Sequence, residues 1–171
     1  TSSVLKTGKW KKISVTQSGM YKVTWDEITA MGFNPEKVQI YGYGGALLEE
    51  NFTVGQYYDD LPEIAIWKNT GSDGVFNKGD FILFYAQGPV SWKYDKTSNL
   101  FKRVRNHYSD KAYYFIGEKE SGSLIAETIE NKGTANVQVS TYTDYLLHEY
   151  EKVNIGESVS GSGTGRELYG E

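Results

Sequence analysis

No cysteine occurs in this chain, which excludes disulfides, thiolate-ligated zinc and a thiol nucleophile from these residues. The absence fixes no compartment, because many secreted bacterial proteins carry no disulfide. Histidine is almost missing too: His107 and His148 are the only two. Neither has an i, i+3 or i, i+4 partner that would set two imidazoles on one metal. The longest apolar run, Phe81 to Ala86, is far short of the roughly 20 residues needed to cross a bilayer. Thr1 to Leu5 has neither a charged nor an apolar leader region, so any signal peptide is expected to have been removed already. A basic excess is lacking as well. With a net charge of −4, the chain as a whole is a poor neutraliser of phosphates, and nucleic acid is not expected as a partner.

What the chain does have is aromatic residues: 14 Tyr and 4 Trp, set mostly among Val, Ile and Thr, a mixture that suits pleated, half-buried strands. The expected fold is mainly β: antiparallel, sandwich-like sheets with one short helix at about Trp25–Met31. At 171 residues the chain suffices for one substantial core, or at most two small β subdomains.

Gly8 to Val15 alternates near its end, with Ile13 and Val15 on one face, and Met20 to Val23 reads as its hairpin partner after the Gln17-Ser18-Gly19 turn. The helix signal is specific. Thr24 stands three residues before Glu27 in capping-box spacing, Ile28 and Met31 form an apolar stripe, and Gly32 with Pro35 ends it. Further strands are predicted over Lys37–Tyr43, Ile64–Trp67, Phe81–Ala86, Tyr113–Ile116 and Val137–Thr143. Phe81–Ala86 (FILFYA) is apolar on both faces, which predicts a central strand buried on both sides. Trp92–Tyr94 and Leu100–Val104 flank the turn-forming Asp95–Asn99 as a hairpin. Gly156 to Gly165 (GESVSGSGTG) reads as a Gly/Ser linker, which leaves 1–155 as the β-rich domain and 166–171 as the start of a following domain.

Several constellations invite chemistry and fail on spacing. Gly42, Gly44 and Gly45 follow a strand, but Leu47 occupies the third glycine position of a dinucleotide loop and no helix start follows; a tight turn is the preferred reading. In the loop Asn69–Asp80, Asp73, Asn77 and Asp80 are hard oxygen donors of the kind calcium takes. The spacing is not that of an EF-hand, however, and Asp or Asn beside Gly is ordinary turn chemistry. His148, Asp144 and a serine make a hydrolase triad only on paper, since no serine sits in a Gly-x-Ser-x-Gly elbow. No catalytic, cofactor or metal residue is therefore assigned. Trp10, Tyr57, Tyr58, Trp67, Trp92 and Tyr94 offer rings for a sugar-stacking platform, against the commoner use of strand aromatics as core or cross-strand partners. Asn51-Phe52-Thr53 matches a short glycosylation sequon.

An ordered set of segments resembles a known family: Gly8 to Glu50, Asp59-Asp60-Leu61-Pro62, Asp73 to Phe76 with Gly79 to Phe81, Phe84 to Pro89, Tyr113-Tyr114-Phe115, and Gly165 to Glu171. Together they resemble the N-terminal region of the PorU-like sortases of type IX secretion in Bacteroidetes, which are gingipain-family cysteine peptidases, and Gly165 to Glu171 resembles the segment just before the peptidase domain. The resemblance implies a β-rich, extracytoplasmic domain that is secreted or at the cell surface. Its partner would be the downstream peptidase domain of the same chain, with secretion-system or cargo proteins as further partners. The family's catalytic Cys and His would lie beyond Glu171, so the expected function is a non-catalytic accessory or scaffold domain. The alternative is a surface carbohydrate- or cell-wall-binding module.

Overall fold

The computed structural model describes residues 2–49, 51, 53, 58–126, 133–134 and 137–142, together with the backbone of two short strands, Val153–Asn154 and Leu168–Tyr169. The chain divides into two compact units, Thr1–Ile129 and Glu130–Glu171. The first contains strands β1 (Lys11–Val15), β2 (Gly19–Thr24), β3 (Val38–Tyr41), β4 (Glu63–Ile64), β5 (Trp67–Asn69), β6 (Phe81–Ala86), β7 (Val90–Asp95), β8 (Leu100–Arg105) and β9 (Ala112–Glu118), with helix α1 (Trp25–Ala30). In the second, β10 (Val153–Asn154) pairs antiparallel with β11 (Leu168–Tyr169). Gly156–Gly165, expected as a linker, lies outside the described residues. Val137–Tyr142 were expected in a strand; they are exposed and form none, and Thr143 lies outside the described residues.

The expected mainly β, sandwich-like architecture is present. One sheet has the order β1-β9-β3-β4, a second β2-β6-β5, and β7 and β8 form a separate two-stranded ribbon. Alternation explains the layering: Val15 of β1, Val38 and Ile40 of β3, and Ala112, Tyr114 and Ile116 of β9 turn inward from the first sheet. Ile82, Phe84 and Ala86 of β6 meet them from the second. Ile28 of α1, Phe33, Ile66 and Phe76 complete this core.

The capping box forms as the spacing predicts. The Thr24 hydroxyl accepts from Glu27 N, and the Glu27 carboxylate accepts from Thr24 N at 2.8 Å. Met31 closes the helix and Gly32, at φ +79°, turns the chain away.

Three local expectations change. β1 and β2 do not form a hairpin: β1 pairs with β9 and β2 with β6, so the Thr16–Ser18 segment carries the chain from one sheet to the other. The backbone of Gly88 packs so close to Gln17 that a Cβ there would lie 2.7 Å from its carbonyl carbon, and Gly88 N donates to Ser18 Oγ. Ile64–Trp67 likewise splits into β4 and β5 on different sheets. The crossing pivots on Ile66, which is fully buried and whose backbone bonds Ser123 and Ile125. Finally, β6 is central but buried on one face alone. Ile82, Phe84 and Ala86 are inside, whereas Phe81 and Leu83 are half-buried and Tyr85 is exposed.

Candidate functional site

The glycine-rich turn after β3 is a packing device. A Cβ on Gly42 would meet the Tyr114 ring at 2.7 Å, and one on Gly45 would meet Ala112 Cβ at 2.7 Å and the Gly88 backbone at 2.9 Å. Gly42 and Gly44 also take positive φ, 152° and 91°, where L side chains are strained. Buried Tyr114 closes the arrangement. Its ring packs edge-on to Phe84 at 5.8 Å, while its hydroxyl accepts from Gln87 N at 2.7 Å and donates to Gln87 O at 3.2 Å. Burial raises the Tyr114 phenol above its ordinary pKa.

This turn also anchors the β7–β8 ribbon. Gly45 O accepts from Asn106 Nδ2 at 3.0 Å, Asn106 N donates to Pro89 O at 2.8 Å, and Lys93 pairs with Glu49 at 3.0 Å. At the far end Asp95 organises the turn that the sequence predicts. It accepts from Thr97 N at 2.9 Å and Ser98 Oγ at 3.0 Å and pairs with Lys102. The Lys102 ammonium, then these hydrogen bonds, hold its carboxyl far below the usual range. Asn99 completes the reversal at φ 56°, a conformation Asn tolerates.

Register decides what the ribbon displays. Val90 pairs with Arg105, Trp92 with Arg103, and Tyr94 with Phe101, so these six residues share one face. Trp92, Tyr94 and Phe101 are exposed. The Arg103 guanidinium lies 4.9 Å from the Trp92 ring centre, within cation–π range, and Tyr94 and Phe101 are 5.1 Å apart, tilted by 53°. The ribbon carries five cations, Lys93, Lys96, Lys102, Arg103 and Arg105, against the single carboxylate Asp95, in a chain of net charge −4. Overall composition concealed this local excess; counting charge strand by strand would have found it.

The other rings considered for a sugar platform are dispersed. Trp10 lies against the Gly117 backbone, edge-on to Tyr41 at 5.2 Å, with its Nε1 donating to Thr7 O. Tyr58 packs against Tyr43 at 5.2 Å, and Trp67 sits on the outer face of β5 beside Phe81. Tyr57 lies outside the described residues.

In the Asn69–Asp80 loop, Asp73 accepts from Val75 N and Asn77 Nδ2, which hold its carboxyl below the usual range, and Asp80 accepts from Asn77 N at 2.7 Å. Among the described residues, no three His, Cys, Asp or Glu side chains gather as a metal site. His107 is exposed, and His148 and Asp144 lie outside the described residues. An open groove of about 490 Å³ runs between Trp10, Tyr41 and the Lys37–Glu120 ion pair. A second, of about 440 Å³, is floored by Ile13, Val23, Met31 and Ile116. No described helix is long and apolar enough to cross a membrane.

These features define a two-sheet β domain with no cysteine-peptidase centre of its own. The crystal structure of dimeric latent PorU from Porphyromonas gingivalis is similar to it, with a TM-score of 0.60 and 32% sequence identity over 78% of this chain and 11% of that one. The chain thus spans about a tenth of that protein and resembles a region of it. No protein-family model and no curated protein matches the chain.

Proposed function

We propose that this chain is a non-catalytic accessory domain, N-terminal to the peptidase domain of a PorU-like, gingipain-family cysteine peptidase of the type IX secretion pathway. In this reading it packs against that downstream domain, as scaffold or as a pro-region that shields the cleft, on the extracytoplasmic side of the cell. Residues 156–165 then serve as the linker, and 166–171 open the next domain.

The observation that carries the reading is the likeness to a region of PorU in a chain that has no cysteine. Deleting Ser3–Glu157 from the longer polypeptide tests it. The expected result is a lower melting temperature together with altered peptidase activity; neither quantity changing would overturn it.

Exposure of Trp92 and Tyr94 on one face favours a second reading, a surface carbohydrate- or cell-wall-binding module. A glycan array probed with this chain decides between the two.

A further inference from the structure

We propose that the slot between β1 and β2 is a strand-addition site, which takes an extended segment of a separate partner protein in which apolar residues alternate with Asp or Glu. This peptide-binding activity goes beyond the accessory-domain reading and does not depend on it.

Two free edges frame the slot. β1 is the terminal strand of one sheet and β2 the terminal strand of the other, and among the described residues neither has a partner strand on its far side. An open strand edge presents a row of unpaired N–H and C=O groups, which is a template for one more strand. Between these edges the sandwich is open to its interior. Ile13 of β1, Val23 of β2, Ile116 of β9 and Met31 line the groove of about 440 Å³, a volume in the range of ligand clefts. Ile116 is fully buried, while Ile13, Val23 and Met31 are only partly covered and pack against the core. Side chains entering here extend the core itself.

Geometry fixes the pattern of the occupant. Ile13 and Val15 face inward beside Tyr114 and Ala112 of β9, and Lys12 and Ser14 face outward. An added strand alternates in the same way: every second side chain enters the groove and must be apolar, and the others lie beside Lys12 and Ser14 in water. Charge selects those others. Residues 1–25 hold five lysines, Lys6, Lys9, Lys11, Lys12 and Lys22, and no carboxylate. Glu27, the one carboxylate lining the slot beside Lys22, interacts with that lysine and is held by the Thr24 cap. Lys11 and Lys12 remain. Both are exposed, and among the described residues neither is ion-paired; Lys12 rests 3.7 Å over the Tyr113 ring, a contact that leaves its charge in place. Carboxylates on the incoming strand therefore meet cations. The same lysines disfavour a second copy, because pairing β1 with β1 sets like charges on one ladder.

Amide hydrogen exchange of the chain, read by NMR, tests this with three end-blocked heptapeptides: Glu-Val-Glu-Val-Glu-Val-Glu, the same peptide with Lys for Glu, and the same peptide with Ser for Val. The expected result is several-fold slower exchange of the Lys11–Val15 amides that β9 leaves unpaired when the Glu-Val peptide is present at millimolar concentration, and no change with the other two. Lys11→Glu/Lys12→Glu reverses the preference to the Lys-Val peptide. Ala30→Trp, an exposed substitution that fills the groove, abolishes protection, and both variants keep the parental melting temperature. Exchange in β1 that is indifferent to the Glu-Val peptide would overturn the site. Equal protection by the Glu-Ser peptide would overturn the apolar groove, and equal protection by the Lys-Val peptide the acidic partner. Protection of these amides without any peptide would overturn the separate partner, in favour of a second copy if it grows with protein concentration and of a segment of this chain if it does not. None of these outcomes touches the accessory-domain reading, which the deletion of Ser3–Glu157 tests.

Discussion

The two-sheet body and the β7–β8 ribbon use similar residues to opposite ends. In the body, aromatic side chains point inward in register: Phe84 meets Tyr114, and Tyr21 meets Phe84 at 6.0 Å. In the ribbon, Trp92, Tyr94 and Phe101 alternate just as regularly, yet stand in solvent. Hydrophobic stabilisation depends on area removed from water. The body's rings therefore contribute to folding, whereas the ribbon's gain most of theirs only when something covers them. The contrast separates residues that hold the fold together from residues left on its surface, and substitutions divide along it.

The largest effect falls in the body. Phe84→Ala removes a fully buried ring between the sheets and should cost about 3–5 kcal/mol, read as a fall in the urea midpoint. Gly45→Ala comes next. The new methyl meets Ala112 and the Gly88 backbone below 3 Å, an overpacking expected to cost about 1–3 kcal/mol, and it should loosen the ribbon because Gly45 O anchors Asn106. If Gly45→Ala leaves the melting temperature unchanged, the packing account of this turn is wrong. Tyr114→Phe leaves Gln87 N without its hydroxyl partner and should cost roughly 1–2 kcal/mol.

The capping box gives a smaller, pH-dependent effect. The Thr24 backbone N–H and then the Thr24 hydroxyl lower the Glu27 pKa from its ordinary value. A group depressed in the folded state contributes stability that is complete above its unfolded value, near 4, and is lost as pH falls through the folded value. Glu63 behaves likewise: burial raises it, but hydrogen bonds from Lys119 and Ser123 outweigh the burial, so its net shift is also downward. Glu27→Gln should therefore lower the melting temperature slightly in the neutral region, converge with the parent in acid, and so flatten the acid limb of the profile. A wild-type profile that stayed flat from pH 6 to about 3 would contradict the sign worked out here. Smallest of all on stability is Trp92→Ala, expected within about 0.5 kcal/mol of the parent as an exposed substitution. A much larger loss would mean that the ribbon is part of the core after all.

How much of this was legible in the sequence follows the range of the interactions. The capping box at Thr24 and Glu27, the Gly32 stop and the Asp95–Asn99 reversal are local, and each is written within a few residues. The partner of β1 is not, because it lies in β9, about a hundred residues on, and two strands close in sequence make a hairpin the natural expectation. Where β1 and β2 part, the Gly88 backbone approaches Gln17, a long-range contact that no local pattern encodes. The apolar doubling of Phe81–Ala86 predicted two buried faces; the second, carrying Phe81, Leu83 and Tyr85, is only partly covered. Of the candidate site, Trp92 and Tyr94 were picked out among six rings. Their pairing with Arg103 and Phe101 needed the register.

The contrast between body and ribbon is tested most directly by measuring urea midpoints of Phe84→Ala and Trp92→Ala side by side. The account predicts a loss of about 3–5 kcal/mol for Phe84→Ala and a change within about 0.5 kcal/mol for Trp92→Ala, because Phe84 is fully buried and Trp92 is exposed. Losses of equal size in the two variants would contradict it.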